Sequence, residues 1–508
     1  MSESKPQAPL MIGVSGLRGI VGESLTPEVA MRFAGAFGAW LRSRRDGPAG
    51  PASVVVGRDG REGAEWVYQA TIAGLLGSGC RVTTIDVAMT PTVGVAGSHF
   101  DGGMVVTASH NPAEWNGLKC LVSETVDIDG TEDWYTVVRA PSASEAAEVI
   151  ALYQTGSFVA PHELFTVPEN RGTWLSSLDD SSEYHVHCVR ELFRSQLPSD
   201  KMQSAREKRL FRVVVDAVNA SGSKASLPFL SSIGEVVGLN CDNSGIFPHT
   251  PEPTAENLSG EGGLCDAVPG LKADVGFAQD PDGDRLAIVD ETGRYIGEEY
   301  TLALCVVSIL EAHQSRGREH AGTETEEIVL CANLSTSRMI DDIATRYGAS
   351  VVRTAVGEAN VVEAMKRLKR EGKAVLLGGE GNGGVIWPEV TFVRDSLGSM
   401  ALVLSLMART GKTVSELVAD IPSYAIVKRK QPLAKKEDAK PAIERIAEAY
   451  ATERVDTQDG VRVDFDAKRA WVHVRASNTE PILRLIAEAE DEATANAILD
   501  KVAQLVEG

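Results

Sequence analysis

Apolar and polar positions fall in blocks along the chain, and one order of blocks recurs three times. The first copy opens with Val54-Val55-Val56, turns at Gly57-Arg58-Asp59, runs through a helical stretch and reaches Gly77-Ser78-Gly79 before Val82. The second runs from Val213-Val214-Val215-Asp216 to Gly234 and Val236-Val237, and the third from Ile328-Val329-Leu330 to Gly348 and Val351-Val352. Strand, polar turn, helix, glycine, strand is the pattern of a parallel α/β unit. About 50 residues after each start comes another apolar run, Met104-Val105-Val106, Val275-Gly276-Phe277 and Val375-Leu376-Leu377, each followed by an unusual polar loop. Open α/β sheets bind ligands outside the carboxyl ends of their strands, so the pattern predicts three loops facing one cleft.

Roughly the last 85 residues break the repeat. Val461 to Phe465, Ala470 to Val474 and Leu483 to Ile486 read as strands, and Asp491 to Val506 as a closing helix. The segment 126–180 lacks regular periodicity and reads as a long surface excursion, and the basic run Lys428 to Lys440 as a solvated connector. The chain of 508 residues carries 50 Lys and Arg against 71 Asp and Glu, a net charge of −21. That balance argues against nucleic-acid and anionic-membrane partners, because both would be repelled. The apolar runs are too short to span a bilayer. Seven scattered cysteines form no CxxC pair, a usage that fits a cytoplasmic protein with reduced thiols.

The loops carry the chemistry. Asp280-Pro281-Asp282-Gly283-Asp284-Arg285 sets three carboxylates at alternate positions, suited to one hard cation such as magnesium or calcium. An EF-hand would need Gly where Arg285 stands and helical flanks, so that reading is rejected. Thr107-Ala108-Ser109-His110-Asn111-Pro112 sets a hydroxyl beside an imidazole without the Gly-x-Ser-x-Gly elbow of a serine hydrolase. Gly379-x-Gly381-x-x-Gly384 satisfies a dinucleotide fingerprint on paper, but no helix follows to hold a pyrophosphate, so it is a decoy. Glu380 and Asn382 on that loop suit sugar hydroxyls. Arg475, Ser477, Asn478 and Thr479 make a candidate phosphate nest.

Together the loops resemble the α-D-phosphohexomutase family, from Gly13 to about Glu488. Five motifs in order carry the resemblance: Ser15-Gly-Leu-Arg18-Gly19; Thr107 to Pro112 with Asn116-Gly-x-Lys119; Asp280 to Arg285; Gly379 to Gly384; and Arg475 to Pro481. The resemblance implies four domains around a central cleft, three of one repeated α/β topology and a C-terminal α+β domain. We place them at 1–180, 181–297, 298–420 and 421–508.

The family's chemistry would put a phosphoserine at Ser109, with Mg2+ held by Ser109, Asp280, Asp282 and Asp284. The phosphoryl group would pass to a hexose monophosphate, giving a hexose 1,6-bisphosphate that also serves as activator. Arg18, Lys119 and Arg285 would neutralise charge, which phosphoryl transfer needs more than covalent chemistry. Lys119 and His110 are the candidates for general acid and base. Glu380 would bind sugar hydroxyls, and Arg475, Ser477, Asn478 and Thr479 the phosphate that does not react. The commoner sugar loop in the family reads Gly-Glu-x-Ser-Gly-His, whereas Asn382 and Gly384 replace its Ser and His here. The Gly-Glu-Gly-Asn-Gly-Gly form resembles phosphoglucosamine mutases, with phosphomannomutase/phosphoglucomutase as the alternative. Gly384 would leave open space and no second cation beside Glu380. A metal-dependent phosphohydrolase and a non-catalytic sugar-phosphate binder are the rivals from other classes. Expected partners are a phosphorylated hexose and, at most, a second copy of the chain, as monomer or homodimer.

Overall fold

The computed structural model describes residues 9–45, 50–127, 134–166, 172–179, 181–207, 210–319, 327–477 and 480–507. Four sheets follow one another along the chain. The first three share a nucleus: a central strand lies between two parallel neighbours, and an antiparallel strand adds beyond the later of them. In the first sheet these are Cys80–Val87, Ala52–Arg58, Gly102–Val106 and Trp115–Asp127. The second has Glu235–Leu239, Arg212–Asp216, Val275–Gln279 and Leu286–Val289. The third has Ser350–Thr354, Ile328–Asn333, Ala374–Glu380 and Gly384–Ile386. The repeat read from the apolar blocks is therefore real. Each unusual loop is the turn from the third strand of its nucleus into the antiparallel fourth. The decoy fingerprint is such a turn, with a strand after it rather than a helix.

The first sheet grows beyond its nucleus to eight strands. Leu10–Gly13 and Gly16–Ile20 add on one side, and Gly16–Ile20 pairs with Trp115–Asp127 so that Arg18 sits opposite Gly117. A Cβ at Gly117 would stand 2.1 Å from Leu17 O, so only glycine lets the strand bearing Arg18 lie this close.

Two expectations change. The described parts of 126–180 are not an excursion: Trp134–Arg139 pairs with Trp115–Asp127, and Leu175–Ser177 pairs with Cys80–Val87. Between them the helix Ala143–Thr155 starts with a Ser142/Glu145 capping box and packs on the helix Pro27–Ser43, where Trp40 Nε1 donates to Glu148 at 2.7 Å. Exposed positions between the buried ones blurred its periodicity. The basic run likewise begins inside a strand, Ala425–Pro432, paired antiparallel with Ile482–Ala489 at the edge of the fourth sheet. Lysines suit such an edge, because they discourage pairing with other chains.

The cores explain how the sheets hold one another. One apolar core runs without a break from the second sheet to the third through the helices Glu298–Glu319 and Ser396–Thr410. In the second helix every residue from Ser396 to Ala408 is buried, Asp395 caps the N-terminus through Leu397 N, and Gly411 in left-handed backbone ends it. The short helix Thr90–Gly97 is also buried on all sides. It joins the first domain to the third through a buried chain: Thr92 Oγ1 lies 3.0 Å from His185 Nδ1, and His185 Nε2 3.1 Å from Asp395 Oδ2. The fourth sheet is wholly antiparallel, is covered by helices Ala439–Ala449 and Glu492–Glu507, and has a core of its own.

No helix among the described residues is long and apolar enough to cross a membrane. All seven cysteines are free.

Candidate active site

Ser109 ends up in a buried place with an unusual backbone. It is 1% exposed and has φ +51°, in the left-handed region that L-residues rarely enter. The bend is held from both sides. Its amide donates to Thr107 Oγ1 at 2.8 Å, and Thr107 Oγ1 donates to Asp59 Oδ2 at 2.6 Å. Its carbonyl accepts from Arg61 Nη2, while Arg61 Nε donates back to Asp59 Oδ2 at 2.8 Å. Arg61 Nη1 also donates to Trp115 O at 2.7 Å, closing the loop from below.

The strained turn aims Ser109 Oγ across the domain boundary, where it donates to Asp280 Oδ2 at 2.8 Å. Asp280, Asp282 and Asp284 are completely buried, and one oxygen from each lies within 4.8 Å of the others. Lys119 Nζ, from the first sheet, donates to Asp282 Oδ2 at 2.7 Å and Asp284 Oδ2 at 2.8 Å. Thr90 Oγ1 donates to Asp282 Oδ2 at 2.7 Å. Asp282 Oδ1 and Asp284 Oδ1 are buried and accept no hydrogen bond. Two orphaned carboxylate oxygens beside a hydroxyl and a third carboxylate are a donor set for a hard divalent cation.

The three acids titrate differently. Burial, together with the charges of Asp282 and Asp284, pushes Asp280 well above the usual carboxylate range. Burial would raise Asp284 too, but Arg394, Lys119 and Arg285 outweigh it and hold that carboxyl down. Lys119 would lose its proton more easily through burial alone, yet Asp282 and Asp284 raise its pKa, so it stays a cation. His110 lies with Nδ1 3.4 Å from Ser109 Oγ and Nε2 3.8 Å from Glu252 Oε1. Burial, with Arg285 and Arg18 nearby, lowers its pKa to about 3 and keeps the imidazole neutral.

Arg18 Nη1 donates to Asn111 Oδ1 at 3.0 Å, beside the serine turn. Arg285 N donates to Asp280 Oδ1 at 3.1 Å, and its Nε lies 3.9 Å from Asp284 Oδ1. The sugar loop meets the acidic loop through Arg394, whose Nη2 reaches Asp284 Oδ2 at 2.5 Å and whose Nη1 reaches Glu380 Oε2 at 2.7 Å. Glu380 Oε1 accepts from Asn333 Nδ2 at 2.9 Å and Gly357 N at 3.2 Å, so both its oxygens are engaged. The space beside Glu380 is thus neither open nor free of a second cation, contrary to the reading of Gly384: Arg394 fills it. Asn382 Oδ1 accepts from Gly384 N at 3.2 Å.

Arg475 and Ser477 lie at the end of the strand Ala470–Ala476 in the fourth sheet. Arg475 Nε is 3.7 Å from Asp459 Oδ2, and that oxygen accepts from Val356 N at 3.0 Å, two residues before Glu358. Ser477 is buried and its Oγ accepts from Glu480 N at 3.3 Å. Asn478 and Thr479 lie outside the described residues. Sequence reasoning missed Asp59, Arg61, Thr90, Asn333, Glu358 and Arg394. The one signal for the first pair was the polar turn Gly57-Arg58-Asp59-Gly60-Arg61, at the same sheet end as the loops.

Known proteins match this chain in sequence and in fold. The phosphoglucomutase/phosphomannomutase family matches in four successive pieces: alpha/beta/alpha domain I over 9–133, domain II over 191–293, domain III over 299–424 and the C-terminal domain over 426–505. A phosphoglucomutase/phosphomannomutase of Thermococcus kodakarensis is 36% identical, with 98% of each chain covered. A probable phosphoglucosamine mutase of Methanopyrus kandleri is 35% identical, with 97% of each covered. Among solved structures, a phosphoglucomutase/phosphomannomutase family protein from Burkholderia thailandensis has the same fold, with TM-score 0.74, 23% identity and 98% of each chain covered. An Aspergillus fumigatus N-acetylphosphoglucosamine mutase, solved with GlcNAc-6P and magnesium, gives TM-score 0.58 at 16% identity over 99% of this chain and 96% of its own. With the family's four domains in order and relatives above one-third identity along nearly its whole length, the chain belongs to the phosphoglucomutase/phosphomannomutase family.

Proposed function

We propose that the protein interconverts hexose 1-phosphate and hexose 6-phosphate through a phosphoserine at Ser109 and a hexose 1,6-bisphosphate. The observation that carries this reading is Ser109 Oγ, 2.8 Å from Asp280 Oδ2 in a buried group of three carboxylates with two unpaired oxygens. Asp280, Asp282, Asp284 and the Ser109 oxygen would hold Mg2+, the ion named with the Aspergillus enzyme. Bound there, the ion would supply positive charge against the phosphoryl oxygens.

The chain's own residues do the rest. Lys119, Arg18 and Arg285 surround the serine with fixed positive charge, which a phosphoryl group needs in transfer. The free hydroxyl of a hexose monophosphate attacks phosphorus, the bond from phosphorus to Ser109 Oγ breaks, and the hydroxyl proton leaves to a base. His110, with Nδ1 3.4 Å from Oγ, is that base in our reading: its resting proton affinity is low, and the phosphoryl dianion on Oγ would raise it; Lys119 remains a cation throughout. After the bisphosphate turns round, Oγ takes back the other phosphoryl group and a proton returns to the sugar oxygen. Arg475 with Ser477, Asn478 and Thr479 would hold the phosphate that does not react, and Glu380 and Asn382 would face the sugar ring.

For the hexose we keep glucosamine 6-phosphate and glucosamine 1-phosphate as the preferred pair, supported by the phosphoglucosamine mutase relative. The structure changes the physical basis: Arg394 already neutralises Glu380, so a protonated amine would look to Glu358 as well, which lies 3.2 Å from Arg394 Nε. The same neutralisation favours the second reading, phosphoglucomutase/phosphomannomutase. Our domain division, 1–180, 181–297, 298–420 and 421–508, is supported by each sheet lying wholly within one span. A cytoplasmic location is supported by the free thiols.

A coupled assay over glucosamine, N-acetylglucosamine, glucose and mannose phosphates, with bisphosphate added, tests the function. Turnover of at least one pair is expected, with glucosamine phosphate highest in kcat/KM. Steady release of inorganic phosphate without isomerisation would instead identify a phosphohydrolase.

A further inference from the structure

Glycine 384 and Arg394 occupy one another's space. A Cβ built on Gly384 would lie 2.3 Å from Arg394 Cδ, 3.2 Å from its Nε and 3.0 Å from Asn382 Oδ1. The arginine stem therefore runs across the bare face of residue 384, and any side chain there must push it aside. Arg394 is 8% exposed and touches three carboxylates from different elements. Asp284 belongs to the acidic loop of the second domain, Glu380 to the sugar loop of the third, and Glu358 to the start of the helix Glu358–Arg370.

We propose that Arg394 is a positioning residue that fixes the sugar loop against the acidic loop, and that position 384 is kept free of a side chain so that it can. The proposal rests on the mutase reading above and adds a residue to it. Its physical content lies in how the carboxylate oxygens are shared. Asp284 Oδ2 is taken by Arg394 and Lys119, which leaves Oδ1 without a hydrogen bond and with only Arg285 Nε, at 3.9 Å, as a charged neighbour. Glu380 Oε2 is taken by the same guanidinium, while Asn333 and Gly357 hold Oε1. One planar fork thus sets the spacing between the group that would receive the cation and the group that would face the sugar. The donors of an ammonium all diverge from one nitrogen, so a lysine at 394 would lack the spaced, coplanar Nη1 and Nη2 that meet Glu380 and Asp284. A loosened fork would leave substrate bound but its hydroxyl out of line, and loss of alignment appears in turnover before it appears in binding.

The test is a double-mutant cycle of Gly384→Ala and Arg394→Ala, with Arg394→Lys as the variant that keeps the charge. Each single change should lower kcat by about tenfold to a hundredfold, the size of a lost charged hydrogen bond, with a smaller change in KM. In the Arg394→Ala background Gly384→Ala should cost nothing further, because alanine ends at Cβ and the Cδ and Nε that it displaces are gone. Melting temperatures read the same interlock without turnover: Gly384→Ala should lower it in the wild-type chain and leave it unchanged in the Arg394→Ala chain. Mn2+ binding should stay within a few-fold of wild type in Gly384→Ala and Arg394→Lys, since the three aspartates remain. Additive losses, wild-type kcat in Gly384→Ala, or lost Mn2+ binding in Arg394→Lys would each overturn the proposal. Should Arg394→Ala fail to fold, Arg394→Val takes its place in the cycle, because valine also ends before the δ position that Gly384→Ala would displace. A wild-type protein without isomerase turnover would sink the mutase reading, whereas the thermal cycle would still report on the interlock.

Discussion

Arg61 and Ser109 are joined by a buried hydrogen bond from the arginine Nη2 to the serine carbonyl, and Asp59 reaches the serine amide through Thr107 Oγ1. The peptide that presents the Ser109 hydroxyl is therefore gripped by an ion pair in which both side chains are fully buried. Removing one member of a buried pair leaves the other charged and unpaired, which costs about 3–5 kcal/mol. Asp59→Asn should thus destabilise the protein by several times what Ser109→Ala does. Chemical denaturation of the two variants measures this. Equal, small losses would mean that the pair does not hold the turn.

Ser109→Ala should fold and lose nearly all isomerase activity, since it deletes one hydroxyl from a loop and no core contact. In wild-type protein, peptide mass spectrometry should find a phosphate on Ser109 that exchanges with added hexose monophosphate. An alanine variant with wild-type turnover would end the phosphoserine reading.

Asp282→Asn bears on the metal. One oxygen of Asp282 already accepts from Lys119 and Thr90, while the other is unpaired. Substitution should cut Mg2+-dependent turnover by at least about a hundredfold, given that even an outer-shell change costs 10–100-fold. Chelation of the wild-type protein should also abolish turnover. It should lower the melting temperature only slightly, because Lys119 bridges two of the three carboxylates without the ion. Calorimetric Mn2+ titration and thermal melts separate the two effects.

Arg475→Ala should raise KM for every phosphorylated hexose by a similar factor, about tenfold to over a hundredfold for a charged hydrogen bond. Asp459→Asn gives the complementary check. It frees Arg475 from its resting partner and should change KM far less. A loss confined to one sugar would contradict a phosphate contact.

What the sequence made legible was what it wrote locally. Alternate carboxylates from Asp280 to Asp284, a hydroxyl beside an imidazole at Ser109-His110, and apolar runs in threes are short-range patterns, and the sheets and loops follow from them. Arg394 is different. It precedes Asp395 and a long apolar helix, where an N-cap is the natural reading, and only folding brings it to Asp284, 110 positions away. Glu358 and Asn333 are likewise single residues whose meaning depends on the sheet they face. The strand Ala425–Pro432 was hidden for another reason: as an edge strand it carries its lysines on an exposed face, so its composition resembles a linker.

The left-handed backbone at Ser109 sets protein stability against chemistry at a single residue. A residue with a β-carbon loses about 1–2 kcal/mol in that conformation, whereas glycine does not. Ser109→Gly should therefore relieve strain at the turn while removing the hydroxyl that we propose carries the phosphoryl group. On stability alone, glycine is the residue that this backbone favours. On the phosphoserine reading the hydroxyl outweighs a relaxed backbone, so the least comfortable residue in the loop would be the one whose loss activity feels most.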